Sequence, residues 1–167
     1  MIAASKMTRA QNMVRGGRPY ADRIRDVLGD LAALAAQDEN TETVDLLKVR
    51  PVKKTLLLLV TPDRGLAGAL VGNLQREAGK FIQEAEGEVS VIAVGRKGER
   101  FITRTGGDLL AGFSVPDRPV MDDTVTVGRM LVEGYRSQPG GRVGLSYAQV
   151  LSPACPGRTL TNPQERV

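Results

Sequence analysis

A repeat of apolar and small residues, in steps of four and three, runs through the first 35 positions of the chain. This spacing is the heptad of a coiled coil, in which one stripe of a helix faces a partner helix. A continuous helix of this length would extend about 50 Å. Its stripe is rich in Ala and Gly and buries little apolar area, so the helix is expected to need a partner. The predicted partner-contact positions are Ala3, Met7, Ala10, Val14, Gly17, Ala21, Ile24, Leu28 and Leu31.

Pro19 interrupts this repeat soon after Gly16 and Gly17. A proline inside a helix removes one hydrogen bond and tends to kink the helix or to start a new one. The pattern therefore allows one long kinked helix over residues 1–36, or two helices with the second beginning near Pro19. Residues 37–53 are polar, end in Arg50-Pro51 and are predicted to be a linker.

From residue 54 onward, short apolar runs alternate with amphipathic segments. Strands are expected over residues 54–60, 89–94, 109–113 and 142–149. Helices are expected over residues 66–86, 98–104 and 122–136. Strands that alternate with helices predict a small Rossmann-like α/β domain with a parallel sheet, here over residues 54–150. Residues 151–167 contain three prolines and no apolar period, so this tail is predicted to be irregular.

The composition excludes several kinds of chemistry. Cys155 is the only cysteine and histidine is absent, so neither an internal disulfide, a classical zinc site nor a Ser-His-Asp mechanism can be built. A reducing compartment is the simpler interpretation of this cysteine usage. The longest apolar run, residues 56–60, is far shorter than the roughly 20 residues of a membrane span, so any membrane link is expected to be peripheral. No metal or cofactor is expected.

The glycine-rich turn after the first strand is the main candidate site. Gly65 and Gly68 precede a predicted helix, whose amino end could bind a phosphate. The turn lacks the third glycine of the dinucleotide fingerprint and the Gly-Lys-Ser/Thr of a P-loop. We therefore favour a packing role for the glycines, with Asp63 capping the helix that follows them, and nucleotide binding is the alternative.

Three charged features have simpler explanations than a site. Residues 95–98 (Gly-Arg-Lys-Gly) are predicted to form a solvated turn, and Asp122-Asp123 to stabilise the amino end of a helix. The chain has a net charge of +4, and many of its basic residues precede position 26. This face could bind nucleic acid, but it has no interleaved aromatics, and the outer face of a coiled coil or a surface for an acidic protein is favoured.

Several segments are similar, in order, to segments of one known family: residues 1–7, Arg18-Pro19-Tyr20, residues 63–73, residues 95–98 and Leu145-Ser146-Tyr147. The family is the gamma subunit of F-type ATP synthase. Its N-terminal helix carries a Val-Ala-Ala-Ser-Lys-Met segment, and its first strand is followed by Asp-Arg-Gly-Leu-Cys-Gly-Gly-Leu-Asn. The matching positions, to which the resemblance assigns a structural role, are Asp63, Arg64, Gly65, Leu66, Gly68 and Asn73.

The resemblance implies a non-catalytic central-stalk subunit. In this family an N-terminal and a C-terminal helix form an antiparallel coiled-coil shaft inside the ring of alpha and beta subunits. The Rossmann-like domain lies at the base, near the epsilon subunit and the ring of membrane c subunits. Proton flow turns the shaft and drives ATP synthesis on the beta subunits. The implied location is peripheral, at the cytoplasmic face of a bacterial cell membrane, with no nucleic acid as partner.

The chain also departs from the family pattern. The family helix begins several turns before the residue that matches Met1, and the C-terminal helix has no counterpart here. We therefore expect a gamma-subunit fragment, truncated at both ends. Two other hypotheses stay open: a free-standing Rossmann-like nucleotide-binding protein or enzyme, and a basic coiled-coil protein that binds nucleic acid.

Overall fold

The computed structural model describes residues 2–37, 53–63, 67–116, 119–137, 141–152 and 155–161, with side chains placed for residues 5–34 of the first helix. The helices and strands are α1 (Ile2–Gln37), β1 (Lys54–Val60), α2 (Leu70–Glu84), β2 (Glu88–Val94), α3 (Arg96–Thr105), β3 (Asp108–Phe113), α4 (Met121–Ser137), β4 (Gly141–Ser152) and β5 (Cys155–Thr161). The chain divides into two compact units, of which α1 belongs to the first and all other elements to the second.

Helix α1 is continuous through Pro19. Of the two possibilities that the sequence allows, the single long helix is therefore confirmed, and its 36 residues correspond to about 54 Å of helix. A proline costs one backbone hydrogen bond, and Gly16 and Gly17 are poor helix formers, so the helix continues here despite an unfavourable local sequence. Most of the predicted linker, residues 38–52, lies outside the described residues.

The sheet of the second unit has the strand order β3-β2-β1-β4-β5. Its first four strands are parallel, which confirms the predicted α/β class with a Rossmann-like parallel sheet. Strand β1 lies between β2 and β4, so both of its edges are hydrogen-bonded and both of its faces are covered. This position explains why β1 is a continuous apolar run rather than an alternating one.

Helices cover the two faces of the sheet differently. On one face, α2 and α3 pack over a core that includes Leu57, Leu59 and Val91 from the strands and Ala78 and Ile102 from the helices. On the other face, α4 packs against β1 and β4. Helix α4 approaches closely at Gly134, where an added Cβ would lie 2.7 Å from Leu56 Cδ2. Substitution of this glycine would therefore require the Leu56 side chain to shift.

The amino ends of β1 and β2 carry an exposed ion pair. Lys54 Nζ lies 2.5 Å from Glu88 Oε2, and the two residues are partners in the strand register. The hydrogen bond and the charge of Glu88 raise the pKa of Lys54 above its usual value. Because both side chains are solvated, the pair is expected to add little to stability.

The structure corrects the sequence-based boundaries in the tail and at two helices. Strand β5 occupies Cys155–Thr161, within the tail that was expected to be irregular, and it runs antiparallel to β4. Pro156 was interpreted as evidence against a strand. An edge strand tolerates proline, however, and Pro156 lies in the edge strand β5. Helix α2 begins at Leu70 rather than at residue 66, after Gly68 with φ +54°. Helix α3 begins at Arg96 rather than at residue 98.

Candidate functional site

The carboxyl ends of β1, β2 and β3 are connected by side-chain and backbone hydrogen bonds, which we call the strand-end joint. Its members are Thr61, Asp63, Gly95, Arg96, Gly98 and Ser114. The joint brings together two segments that the sequence singled out separately, residues 63–73 and residues 95–98. Parallel pairing of β1 with β2 places the ends of these strands side by side and so makes the contact possible.

Thr61 is the buried centre of the joint. Its amide donates a 2.8 Å hydrogen bond to the carbonyl of Val94. Its hydroxyl accepts a 2.9 Å hydrogen bond from the amide of Gly98 and lies 3.3 Å from the carbonyl of Gly95, to which it can donate. The Thr61 side chain is therefore a second acceptor for the Gly98 amide, which also donates a 3.1 Å hydrogen bond to the carbonyl of Gly95 at the N-cap of α3.

Two glycines of the joint allow this close approach. Gly95 has φ +101°, and an added Cβ would lie 2.1 Å from the carbonyl oxygen of Thr61. At Gly98 an added Cβ would lie 3.0 Å from Thr61 Oγ1. The amide of Gly95 also donates a 2.7 Å hydrogen bond to the carbonyl of Phe113, which connects β3 to the joint. The glycines of residues 95–98 thus have a packing role, whereas the sequence suggested a solvated turn.

Asp63 caps a different helix from the one expected. Its Oδ1 accepts a 2.5 Å hydrogen bond from the amide of Arg96, the first residue of α3, and its Oδ2 accepts a 3.2 Å hydrogen bond from the hydroxyl of Ser114. The expectation that Asp63 caps the helix after its own turn is wrong, since α2 has Ala69 at its N-cap and no side-chain cap bond. A carboxylate leaving β1 reaches α3 because β2, which precedes α3, is the neighbouring parallel strand.

The hydrogen bonds of Asp63 and Thr61 determine whether the amino end of α3 can bind an anion. The amino end of a helix attracts anions through its free amides and its dipole. At α3 the amides of Arg96 and Gly98 already donate to Asp63 and Thr61. The protein's own carboxylate therefore occupies the place that a phosphate would take at this helix.

We expect Thr61→Val to lower the free energy of unfolding by about 1–3 kcal/mol, because the isosteric side chain can neither accept from the Gly98 amide nor donate to the Gly95 carbonyl. Thr61→Ser is the matched control. It keeps the hydroxyl, loses one methyl group, and should cost less than about 1 kcal/mol. Urea denaturation of both variants tests the prediction, and equal losses would show that the hydroxyl has no special role.

The other predicted motif residues lie at the start of α2 or outside the described residues. Gly68 precedes α2 and is exposed, and Asn73 lies in the first turn of α2. The side-chain oxygen of Asn73 is 3.4 Å from Arg76 Nη1. Arg64, Gly65 and Leu66 lie outside the described residues, so their predicted structural role stays a prediction.

The two carboxylates at the start of α4 lie at the amino end of a helix, as the sequence predicted. Asp122 and Asp123 lie in the first turn of α4. Asp123 Oδ2 accepts a 2.8 Å hydrogen bond from the amide of Val120, the residue just before the helix. This contact is one half of a capping box and explains the pair without a metal or a general base. In the ranges that the structure describes, no group of three or more His, Cys, Asp or Glu side chains is arranged to hold a metal ion.

The second candidate site is the heptad face of α1. Its larger members Met7, Val14, Ile24, Leu28 and Leu31 are between 41% and 58% exposed. In heptad terms, Met7, Val14 and Leu28 occupy a positions, and Ile24 and Leu31 occupy d positions. Ala10, Gly17 and Ala21 are exposed on the same stripe, and Ala3 lies in α1 before the first described side chain.

A second apolar column adjoins this stripe and was missed by the sequence analysis. Its members recur every seven residues, at g positions, and are 51% to 70% exposed: Met13, Tyr20, Val27 and Leu34. The sequence already contained this pattern, because each of these four residues directly precedes a residue at an a position. From Met13 onward, the exposed apolar face of α1 is therefore three positions wide in each heptad rather than two. Among the described helices, none is long and apolar enough to cross a bilayer.

Comparison with known proteins identifies relatives that match most of this chain. The model of a family described as ATP synthase matches residues 1–156. The chain is 42% identical over 155 residues to the ATP synthase gamma chain of Dehalococcoides mccartyi, covering 92% of this chain and 54% of the relative. It is 41% identical over 157 residues to the ATP synthase gamma chain of Roseiflexus castenholzii, covering 91% and 53%. The chain thus spans about half the length of these curated relatives.

A solved structure has the same fold. It is a cryo-EM structure of the central stalk and c-ring of the Tetrahymena thermophila mitochondrial ATP synthase. The TM-score is 0.76 at 18% sequence identity, with 96% of this chain and 68% of that chain covered. At this identity the match shows a shared fold.

Proposed function

Since this chain belongs to the ATP synthase gamma chain family, we propose that it acts as a central-stalk subunit of the F1 sector, coupling proton flow through the membrane sector to ATP synthesis by rotation. In this role α1 supplies one helix of the shaft and contacts the alpha and beta subunits. The sheet unit lies near the epsilon subunit and the c-ring. The complex holds the chain peripherally at the cytoplasmic face of the bacterial cell membrane.

The observation that carries this proposal is the exposed apolar face of α1. A helix of 36 residues with large side chains such as Val14 and Leu28 about half exposed is not a stable arrangement in water. The heptad spacing of the face is the pattern of a helix that packs lengthwise against other helices. A helical shaft enclosed by a ring of alpha and beta subunits is one structure that buries such a face along its whole length.

The strand-end joint supports a mechanical role rather than a catalytic one. Its carboxylate and its buried hydroxyl, on Asp63 and Thr61, both accept hydrogen bonds from backbone amides of α3. These bonds fix the ends of β1, β2 and β3 to one another. We propose that the chain carries out no chemical step and that the joint stiffens the sheet unit, through which rotation is transmitted.

The proposal is tested by assembly with the alpha and beta subunits of Roseiflexus castenholzii, whose gamma chain is one of the relatives above. We expect the full chain to co-elute with the alpha–beta complex. Leu31→Asp, which places a charge on the apolar face, should weaken this binding at least about tenfold. Ala33→Asp adds the same charge at an f position, away from the face, and should bind like the parent chain.

Two results would contradict the proposal. One is equal binding of Leu31→Asp and Ala33→Asp, which would mean that the heptad face makes no contact. The other is saturable binding of a nucleotide by the isolated chain, seen as a thermal shift and weakened by Gly68→Val. That second result would favour the nucleotide-binding alternative.

A further inference from the structure

Helix α4 has a second apolar stripe, on the side that points away from the sheet. Its sheet-facing side contains the buried Val127 and also Gly134, where an added Cβ would meet Leu56. The opposite stripe, which we call the α4 seam, has members spaced by four, three and four residues: Met121, Val125, Gly128 and Val132. Its three large members are 78%, 43% and 37% exposed, in chain order. The described part of the chain therefore leaves this stripe open to solvent.

The spacing of the α4 seam fits another helix. Steps of four and three residues are those of the a and d positions of a heptad, and the seam extends about 16 Å along the helix. Gly128 in its middle is exposed, and an added Cβ there would meet nothing within 4 Å. The seam thus has a recess between Val125 and Val132, in which a large apolar side chain of a second helix can pack.

Two arginines flank the α4 seam on one side. Arg129 and Arg136 are at e positions, directly after the d positions Gly128 and Tyr135. Both are exposed, and neither guanidinium has an ion pair or a hydrogen bond with another described residue. The remaining e position, Asp122, lies at the amino end of α4. A partner helix with carboxylates along this flank would pair with both arginines, which a basic helix cannot do.

We propose that the α4 seam binds an amphipathic helix of another protein, which places large apolar side chains on the seam and carboxylates beside Arg129 and Arg136. The heptad spacing requires a helix, because an extended peptide or a nucleic acid would not match apolar positions in steps of four and three. The two arginines determine the charge of that helix. The proposal uses side chains of α4 alone and does not depend on the proposed function, whose contact surface is on α1.

Peptide binding tests the chemistry of the partner. The probes are two synthetic peptides of about three heptads, with Leu at a and d positions and either Glu or Lys at e and g positions. The protein is the full chain with Leu28→Asp and Leu31→Asp, called the α1-blocked chain, so that the apolar face of α1 does not compete. By fluorescence anisotropy we expect it to bind the Glu peptide at least about fivefold more tightly than the Lys peptide. Equal affinities, or no binding of the Glu peptide, would overturn the proposal.

Substitutions in the α1-blocked chain locate the binding site. Val125→Asp should weaken binding of the Glu peptide at least about tenfold, whereas Thr126→Asp, about a third of a turn away, should leave it unchanged. Equal affinities of these two variants would contradict a site on the seam.

A charge reversal provides the second arm. Arg129→Glu combined with Arg136→Glu should reverse the preference, so that the Lys peptide binds more tightly. The matched control, Arg100→Glu with Arg104→Glu on α3, changes the net charge equally and should keep the preference for the Glu peptide. Reversal by both pairs would mean that binding follows net charge alone and would overturn the proposal. A gain of binding to the Lys peptide cannot result from unfolding, so this arm stays valid if Val125→Asp does not fold.

Light scattering distinguishes the proposed partner from a second copy of this chain. We expect the α1-blocked chain to be a monomer. A dimer that Val125→Asp dissociates would assign the α4 seam to a second copy and overturn the proposal. Because these experiments use a chain whose α1 face is blocked, their failure leaves binding of α1 to alpha and beta subunits unaffected.

Discussion

Gly95→Ala is expected to lower the free energy of unfolding of the sheet unit by at least about 3 kcal/mol. Two costs add at this position. The backbone has φ +101°, which an L side chain rarely adopts, and the new Cβ would lie 2.1 Å from the carbonyl oxygen of Thr61. That oxygen belongs to the backbone at the end of β1, so it cannot rotate away as a flexible side chain would. Either β1 and β2 separate at their ends or the joint breaks.

Gly106→Ala separates the two costs. Gly106 also has a positive φ, +72°, but an added Cβ there would meet nothing within 4 Å. This variant should therefore lose only the conformational cost, about 1–2 kcal/mol. The measurement is urea denaturation followed by tyrosine fluorescence, for which the buried Tyr135 reports on the sheet unit. If Gly95→Ala costs no more than Gly106→Ala, the strand ends are more widely spaced than described.

Leu57→Ala is expected to cost about 2–5 kcal/mol. Leu57 has no exposed surface and lies at the centre of the core formed by β1, α2 and α3. Truncation leaves a cavity, and the neighbouring strands on both sides of β1 keep the backbone from collapsing into it. Because the backbone around the cavity cannot relax, the loss in the free energy of unfolding is expected to be large.

Leu110→Ala is the control for Leu57→Ala, because Leu110 is 49% exposed on the edge strand β3. The same chemical change there should cost less than about 1 kcal/mol. Differential scanning calorimetry of the two variants provides the comparison. Similar shifts in melting temperature would contradict the described burial of Leu57.

The sheet was the most predictable part of the molecule. The bounds of β1, residues 54–60, are the same in the sequence analysis and in the structure. A run of five large apolar residues followed by Pro62 defines both the strand and its end by local signals alone. By contrast, Pro19 in α1 left two possibilities open, because a local pattern cannot tell a kink from a break.

The strand-end joint was not predictable from local patterns. Ser114 and Asp63 are 51 positions apart, and Gly98 and Thr61 are 37 apart. Neither Thr61 nor Ser114 belongs to a recognisable motif, and they meet only because three parallel strands end at one edge. Strand β5 was missed for a different reason, since its proline is an unfavourable strand signal that an edge position removes.

The strand order has a consequence for synthesis on the ribosome. Strands β1, β2 and β3 and the whole joint lie between residues 54 and 114, so they can assemble as soon as that stretch has emerged. Strand β4, which covers the other edge of β1, comes only at Gly141–Ser152. Until then the leucine-rich β1 is an unpaired edge of a nascent sheet, and such edges bind other chains. We therefore expect this edge of β1 to be open to other chains between the emergence of residue 114 and that of residue 141.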